Sequence, residues 1–300
     1  METKRNLIQI WLLRAAVLQA VMLIASSAQA QNLFVEGVGP GPWNSSGNIT
    51  EITPGGAKST FASGLTPPFG LAFDNAGDLF VSEYNSQYGI GSIVEYTSGT
   101  PRWFTGTVSR PAGLACDSAG DLFEAEANGN IYEFTPGGYR TTFVTGLNGP
   151  QALTFDRWGD LFVADNSNIY EFGPGATRTF ATGLYYPSAL ACNSAGDLFV
   201  MAGGNSCVIY KFTTDGVQST FASGFAYSYG LAFNSAGDLF ATDNASGNIY
   251  KFTPDGVQST FASGLPYTYE MAFQPVPETS ALELLAFGMC GITLLRRQQR

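Results

Sequence analysis

The chain has 300 residues, 45% hydrophobic and 13% charged, with a formal net charge of −10. That balance permits a sizeable core and excludes a disordered polyampholyte. Its 36 glycines and 23 phenylalanines, with few lysines, favour tight turns and aromatic strands, so the expected class is all-β.

The first 30 residues read as an address rather than as fold. Lys4, Arg5 and Arg14 give a basic start, an apolar run covers 15–25, and Ala28 and Ala30 supply the small residues that a signal peptidase needs. The expectation is a secretory signal peptide over 1–30, cleaved before Gln31, with an uncleaved anchor as the alternative.

Residues 31–275 carry eight basic and 21 acidic side chains, a net charge of −13. A phosphate backbone would be repelled, so nucleic acid is not an expected partner. Within this region one segment recurs. Gly230 to Phe240 reappears at Gly70 to Phe80, Gly113 to Phe123, Gln151 to Phe162 and Ser188 to Phe199. A run such as Asn130-Ile-Tyr-Glu-Phe134 follows, then one such as Ser219-Thr-Phe-Ala-Ser-Gly224. The phenylalanines of that last run, Phe61, Phe104, Phe143, Phe180, Phe221 and Phe261, are spaced 43, 39, 37, 41 and 40 residues apart.

Each repeat thus holds four short apolar runs divided by turn signals. Asn/Ser-Ala-Gly-Asp marks a tight hairpin, and Thr-Pro-Gly-Gly or Thr-Pro-Asp-Gly marks another. Four antiparallel strands in roughly 40 residues make one propeller blade. The ends set the number of blades. The run 32–35 is a second strand without a first, and 271–273 is a first strand without a second. Joined, they complete one blade of a six-bladed ring and remove the exposed sheet edges.

The cysteines give little chemistry. Cys116 and Cys192 occupy a phenylalanine position of the repeat, Cys207 reads as a loop residue, and no spacing suits zinc. All three are expected to be thiols. No histidine occurs anywhere, which excludes a Ser-His-Asp or Cys-His device and leaves carboxylates, tyrosines or a hard cation.

Two residue sets stand out at the ring face where second strands end. Glu83, Glu126, Asp165 and Asp243 share one repeat position, with Gly37 and Ala202 in the other two blades. Clustered acids there would bind Ca²⁺ through oxygen, or each acid would cap its own turn. The segments entering each blade vary most, and three consecutive ones carry Tyr185 and Tyr186, Tyr227 and Tyr229, and Tyr267 and Tyr269. Together these six would form one aromatic arc that stacks on a sugar, or they would fill the mouth of the ring.

The Gly159-Asp-Leu-Phe-Val-Ala-Asp165 segment and the Ile-Tyr-Glu-Phe strands resemble NHL-type blades and the related SMP-30/gluconolactonase-like family over nearly all of 31–275. The resemblance implies a six-bladed propeller. It leaves two functions open: a noncatalytic binding or scaffold protein that meets a glycan or another envelope component, and a Ca²⁺-dependent, lactonase-like hydrolase.

The chain ends in a second address. Pro277 and Glu278 precede an apolar stretch, 281–295, and Arg296, Arg297 and Arg300 close the chain. Fifteen residues reach about 22 Å as a helix, short of a ~30 Å hydrocarbon core. This tail resembles a PEP-CTERM sorting signal, with Thr279 where the second proline is usual. The resemblance implies recognition by an exosortase, transient membrane contact through the helix, and release to the surface or extracellular polymer of a Gram-negative bacterium. The alternative is a plain C-terminal anchor.

Overall fold

A computed structural model of the chain describes residues 31–38, 46–174, 177–265 and 267–276. The expected signal peptide, 1–30, lies outside these residues, as do Pro277, Glu278, the stretch 281–295, Arg296 and Arg297 of the expected sorting signal.

The described residues form six four-stranded antiparallel sheets. Blade 1 contains β1 (Leu33–Val38), β2 (Gly47–Ile52) and β3 (Lys58–Leu65). Blade 2 is β4 (Pro68–Phe73), β5 (Leu79–Asn85), β6 (Ile90–Thr97) and β7 (Thr100–Val108). Blade 3 is β8 (Pro111–Cys116), β9 (Leu122–Glu126), β10 (Asn130–Phe134) and β11 (Arg140–Val144). Blade 4 is β12 (Ala152–Phe155), β13 (Leu161–Ala164), β14 (Asn168–Phe172) and β15 (Thr177–Thr182). Blade 5 is β16 (Pro187–Cys192), β17 (Leu198–Ala202), β18 (Cys207–Phe212) and β19 (Gln218–Phe225). Blade 6 is β20 (Leu231–Phe233), β21 (Leu239–Asp243), β22 (Asn248–Phe252) and β23 (Gln258–Ala262). Finally β24 (Thr268–Phe273) returns to β1 and completes blade 1, with Leu33 opposite Phe273 and Val35 opposite Met271.

The second strand of each blade buries both faces because a neighbouring blade covers each, whereas the outermost strand is largely exposed. Six apolar clusters result, one at every blade boundary; the cluster of Leu33, Val35, Ile52 and Met271 with Phe240 and Ile249 seals blade 6 to blade 1. At four boundaries the second-strand phenylalanine meets two others edge-on, as Phe34 meets Phe61 at 5.0 Å and Phe73 at 5.0 Å. At the other two, Cys116 and Cys192 stand where the third ring would be and pack in the clusters of Phe80 and Phe162.

The hairpin between first and second strands repeats for a local reason. Its first residue, such as Asp74, accepts the amides of Ala76 and Asp78, while Gly77 takes φ of 88°. Such an Asx turn with glycine in the left-handed region reverses the chain without a Cβ clash. Trp158 departs from the repeat and lies where a Cβ on Gly196 would stand, so it links the hairpins of blades 4 and 5.

The three described cysteines are free thiols. Cys207 is not a loop residue: it opens β18 and is buried. Gly203 and Gly204, at φ of 130° and 62°, complete the reversal before it, and its thiol donates to the Gly204 carbonyl at 2.9 Å.

Candidate functional site

The inner strand of every blade starts at one face of the ring, and the residues around those starts enclose a cavity of about 710 Å³ on the axis. All six blades contribute. One side is aromatic: Tyr229 entering blade 6, Tyr269 on β24, Phe69 on β4 and Tyr84 on β5. Their rings run in an unbroken series. Tyr229 and Tyr269 lie 5.4 Å apart and tilted by 30°, Tyr269 and Phe69 lie 6.0 Å apart, and Phe69 and Tyr84 lie 6.2 Å apart. The other side is polar, with Arg110, Gln151, Asn166 and Ser188.

The expected arc of six tyrosines therefore divides. Tyr229 and Tyr269 line the funnel, whereas Tyr185, Tyr186, Tyr227 and Tyr267 stand on the rim with 67%, 50%, 48% and 52% of their surface exposed. The backbone decides this. Tyr186, Tyr227 and Tyr267 have φ of 46°, 54° and 59°, the left-handed region, so each marks a sharp turn from which the chain enters the inner strand. Tyr185 and Tyr186 pair edge-on at 4.9 Å, apart from the funnel series. Phe69 and Tyr84 belong to the series but fall outside the tyrosine pattern, so the sequence reading missed them.

The four acids considered for calcium lie in four blades. Asp165 accepts the amides of Asn148, Ser167 and Asn168 at 3.4, 3.0 and 2.8 Å. Asp243 accepts from Ala226 and Ala245 amides and the Ser246 hydroxyl at 3.0, 3.3 and 2.7 Å. Each thus ties the turn after its own second strand to the segment entering its own blade. Glu126 does the same through the Ser109 amide at 2.8 Å and the Asn128 side chain at 2.6 Å, and also holds Arg140. Glu83 is buried, and burial alone pushes its carboxyl up to about 7. Among the described residues no group of three or more His, Cys, Asp or Glu side chains has a geometry that could hold a metal ion.

A different set of carboxyls is concentrated at the axis. Glu270 follows Tyr269 on β24 and lines the funnel. The residue is half-buried in the funnel wall, and loss of solvation there pushes its carboxyl up to about 8 despite the nearby Leu71 amide. Behind it, Glu36 on β1 is fully buried and both its carboxyl oxygens lack hydrogen-bond partners. The β1–β24 register shifts between Val35 and Gly37, a bulge that sets Glu36 against Tyr269 and Glu270. Burial raises the Glu36 carboxyl well above the ordinary range, and the negative potentials of Glu270 and Glu83 add to it. The amides of Glu270 and Gly70 ease the penalty without closing a hydrogen bond. Both residues interrupt the repeat: Glu36 stands where other blades have Ser82, Ala125, Ala164, Met201 and Thr242. An acid inside an apolar strand was the available signal.

A second buried acid, Glu124, replaces the valine of Val35, Val81, Val163 and Val200. It lies between blades 2 and 3, away from the funnel, 4.0 Å from Arg140.

No family model matches this chain, and none of the curated proteins does. Solved structures do. TolB from Acinetobacter baumannii superposes with a TM-score of 0.67 at 14% identity, over 82% of this chain and 67% of that one. A gluconolactonase from Xanthomonas campestris gives 0.62 at 17% identity, over 79% and 87%. A catalytically inactive histidine-to-alanine variant of virginiamycin B lyase from Staphylococcus aureus, solved with quinupristin, gives 0.54 at 16% identity, over 71% and 86%. At these identities the likeness establishes the six-bladed propeller fold alone.

Proposed function

We propose that this chain is an exported, noncatalytic binding protein of the cell envelope or extracellular matrix, and that its axial funnel takes up a glycan. The observation that carries the reading is the unbroken series Tyr229, Tyr269, Phe69 and Tyr84 facing the polar wall of Arg110, Gln151, Asn166 and Ser188 across about 710 Å³. Sugar rings present apolar C–H faces to aromatic planes and hydroxyls to polar side chains, and the volume suits a small saccharide. Export rests on the basic-apolar segment 1–30. Exosortase sorting rests on Pro277, Glu278, Arg296 and Arg297 around the stretch 281–295.

The test is a glycan array followed by calorimetry with the retained sugar. Replacing Tyr269 with Ala should weaken binding at least about tenfold, as expected when one stacked ring is lost. If no saccharide is retained, or if the variant binds as well as the parent, the funnel is not a sugar site. Mass spectrometry of surface-localised protein from the native host tests sorting; intact Arg300 on that form would defeat it.

A second reading, a Ca²⁺-dependent hydrolase, is favoured by the raised carboxyls of Glu83 and Glu270, since poised acids collect in catalytic clefts. The gluconolactonase likeness points the same way. The lyase variant is inactive through loss of a histidine, and this chain has none. Lactone turnover that requires added calcium would place this reading first.

A further inference from the structure

We infer that the funnel selects a saccharide bearing a protonated amino group, with the ammonium seated at Glu270 against the faces of Tyr269, Tyr229 and Phe69. The inference rests on the funnel being a sugar site and specifies which sugar it prefers.

Three observations support it independently. Glu36 is fully buried with both oxygens unpartnered, and a buried acid without a partner costs roughly 1–3 kcal/mol, so its retention calls for a compensating group. A bulge in β24 sets this acid opposite two wall residues, Tyr269 and Glu270. Among the described residues, no ion pair reaches Glu36, Glu83 or Glu270, so their counter-charge is not supplied by the fold.

The wall beside Glu270 is aromatic, and ring faces attract a desolvated cation. Arg110, the cation that lines the funnel, enters from blade 3, whereas Glu270 and its aromatic neighbours belong to blades 6, 1 and 2. The cationic and the acidic ends of the lining are therefore on different blades. An ammonium at the Glu270 end would meet one carboxyl directly and a second behind it. A hydroxyl or acetamide there would leave both acids in their neutral form and gain no ion pair.

Binding is thereby coupled to a proton. In the empty funnel the Glu270 carboxyl is held near 8 by burial, with Glu36 behind it, Glu83 near Glu36, Tyr229 and Tyr269 on the same wall and Arg110 on the far one. An arriving ammonium stabilises the ionised form, so the carboxyl O–H bond breaks and its proton leaves to solvent. Binding of the amine at neutral pH should therefore release protons and strengthen as pH rises toward 8.

The experiment compares glucosamine, N-acetylglucosamine and glucose by calorimetry on the full chain, in two buffers of different ionisation heat. Glucosamine should bind about tenfold or more tightly than the other two and should alone release protons. Glu270→Gln, an isostere of the neutral acid, should keep the melting temperature and erase the preference; Glu36→Gln should reduce it. Equal binding of all three sugars, or an unchanged preference in Glu270→Gln, overturns the inference and leaves the sugar reading standing. If no sugar binds, the sugar reading fails, and tetramethylammonium then decides: binding that Glu270→Gln abolishes upholds the cation seat, and no binding overturns it too.

Discussion

Arg140 Nη2 lies 2.6 Å from Glu126 Oε1, an ion pair formed across blade 3 from its outer strand to its second strand. The guanidinium also covers the Tyr132 ring at 3.5 Å and stands 4.0 Å from Glu124. One cation thus serves two buried acids. Replacing Arg140 with Met should destabilise the protein by about 3–5 kcal/mol, because the buried Glu126 carboxylate loses its counter-charge inside the fold. Replacing Glu124 with Val, the residue of four other blades, should be neutral or stabilising, since Arg140 keeps Glu126. Denaturant melts of the two variants check the pair; equal losses would mean that Glu124 contributes as much as Arg140.

Acidity should protect this protein. The carboxyls of Glu83, Glu124 and Glu270 have ordinary values of 4.5 and stand at about 7, 8 and 8 in the fold, through burial first and, for Glu124, through Glu126 as well. The folded chain therefore holds more protons than the unfolded chain between about pH 4.5 and 8, and stability falls as pH rises through that window. Each tenfold gain in proton affinity on folding is worth about 1.4 kcal/mol. Melting temperature should drop steadily over the window, and Glu124→Gln should flatten part of the slope. A melting temperature that rises with pH over this range contradicts the assignment.

Closure of the ring should be felt far from the chain ends. Met271 is buried in the cluster that joins blade 1 to blade 6. Met271→Ala should cost about 2–5 kcal/mol, and hydrogen exchange should speed up in blade 6 as well as in blade 1. Exchange confined to β24 would show that the last strand is only appended to a ring closed by other contacts.

The rim tyrosines should behave unlike the wall tyrosines. Tyr227 and Tyr267 are about half exposed and carry left-handed φ, which costs a non-glycine residue roughly 1–2 kcal/mol. Asparagine tolerates that region better. Tyr227→Asn and Tyr267→Asn should melt at the same temperature or higher, while Tyr229→Ala and Tyr269→Ala lose ring stacking within the funnel. A marked loss of stability in the asparagine variants would show that the rim rings pack rather than stand free.

The blade, its turns and the six-fold count were legible in the sequence because they depend on local chemistry. An Asx turn with glycine forms wherever its four residues occur, a 40-residue period repeats whatever its neighbours do, and 32–35 and 271–273 could complete only each other. The bonds of Asp165 and Asp243 to their own turns belong to the same class, while their bonds to Asn148 and Ala226, 17 residues back, need the blade. The funnel is different. Its wall takes one or two residues from each of six blades, so Phe69, Tyr84 and Arg110 become neighbours of Tyr229 and Glu270 only when the ring closes. A single φ sign at Tyr227 and Tyr267 sends those rings outward and leaves Tyr229 and Tyr269 inside. Glu36 was visible as an acid among apolar residues, but the β24 bulge, in a pairing between opposite ends of the chain, decided that it stands behind Glu270 and away from water.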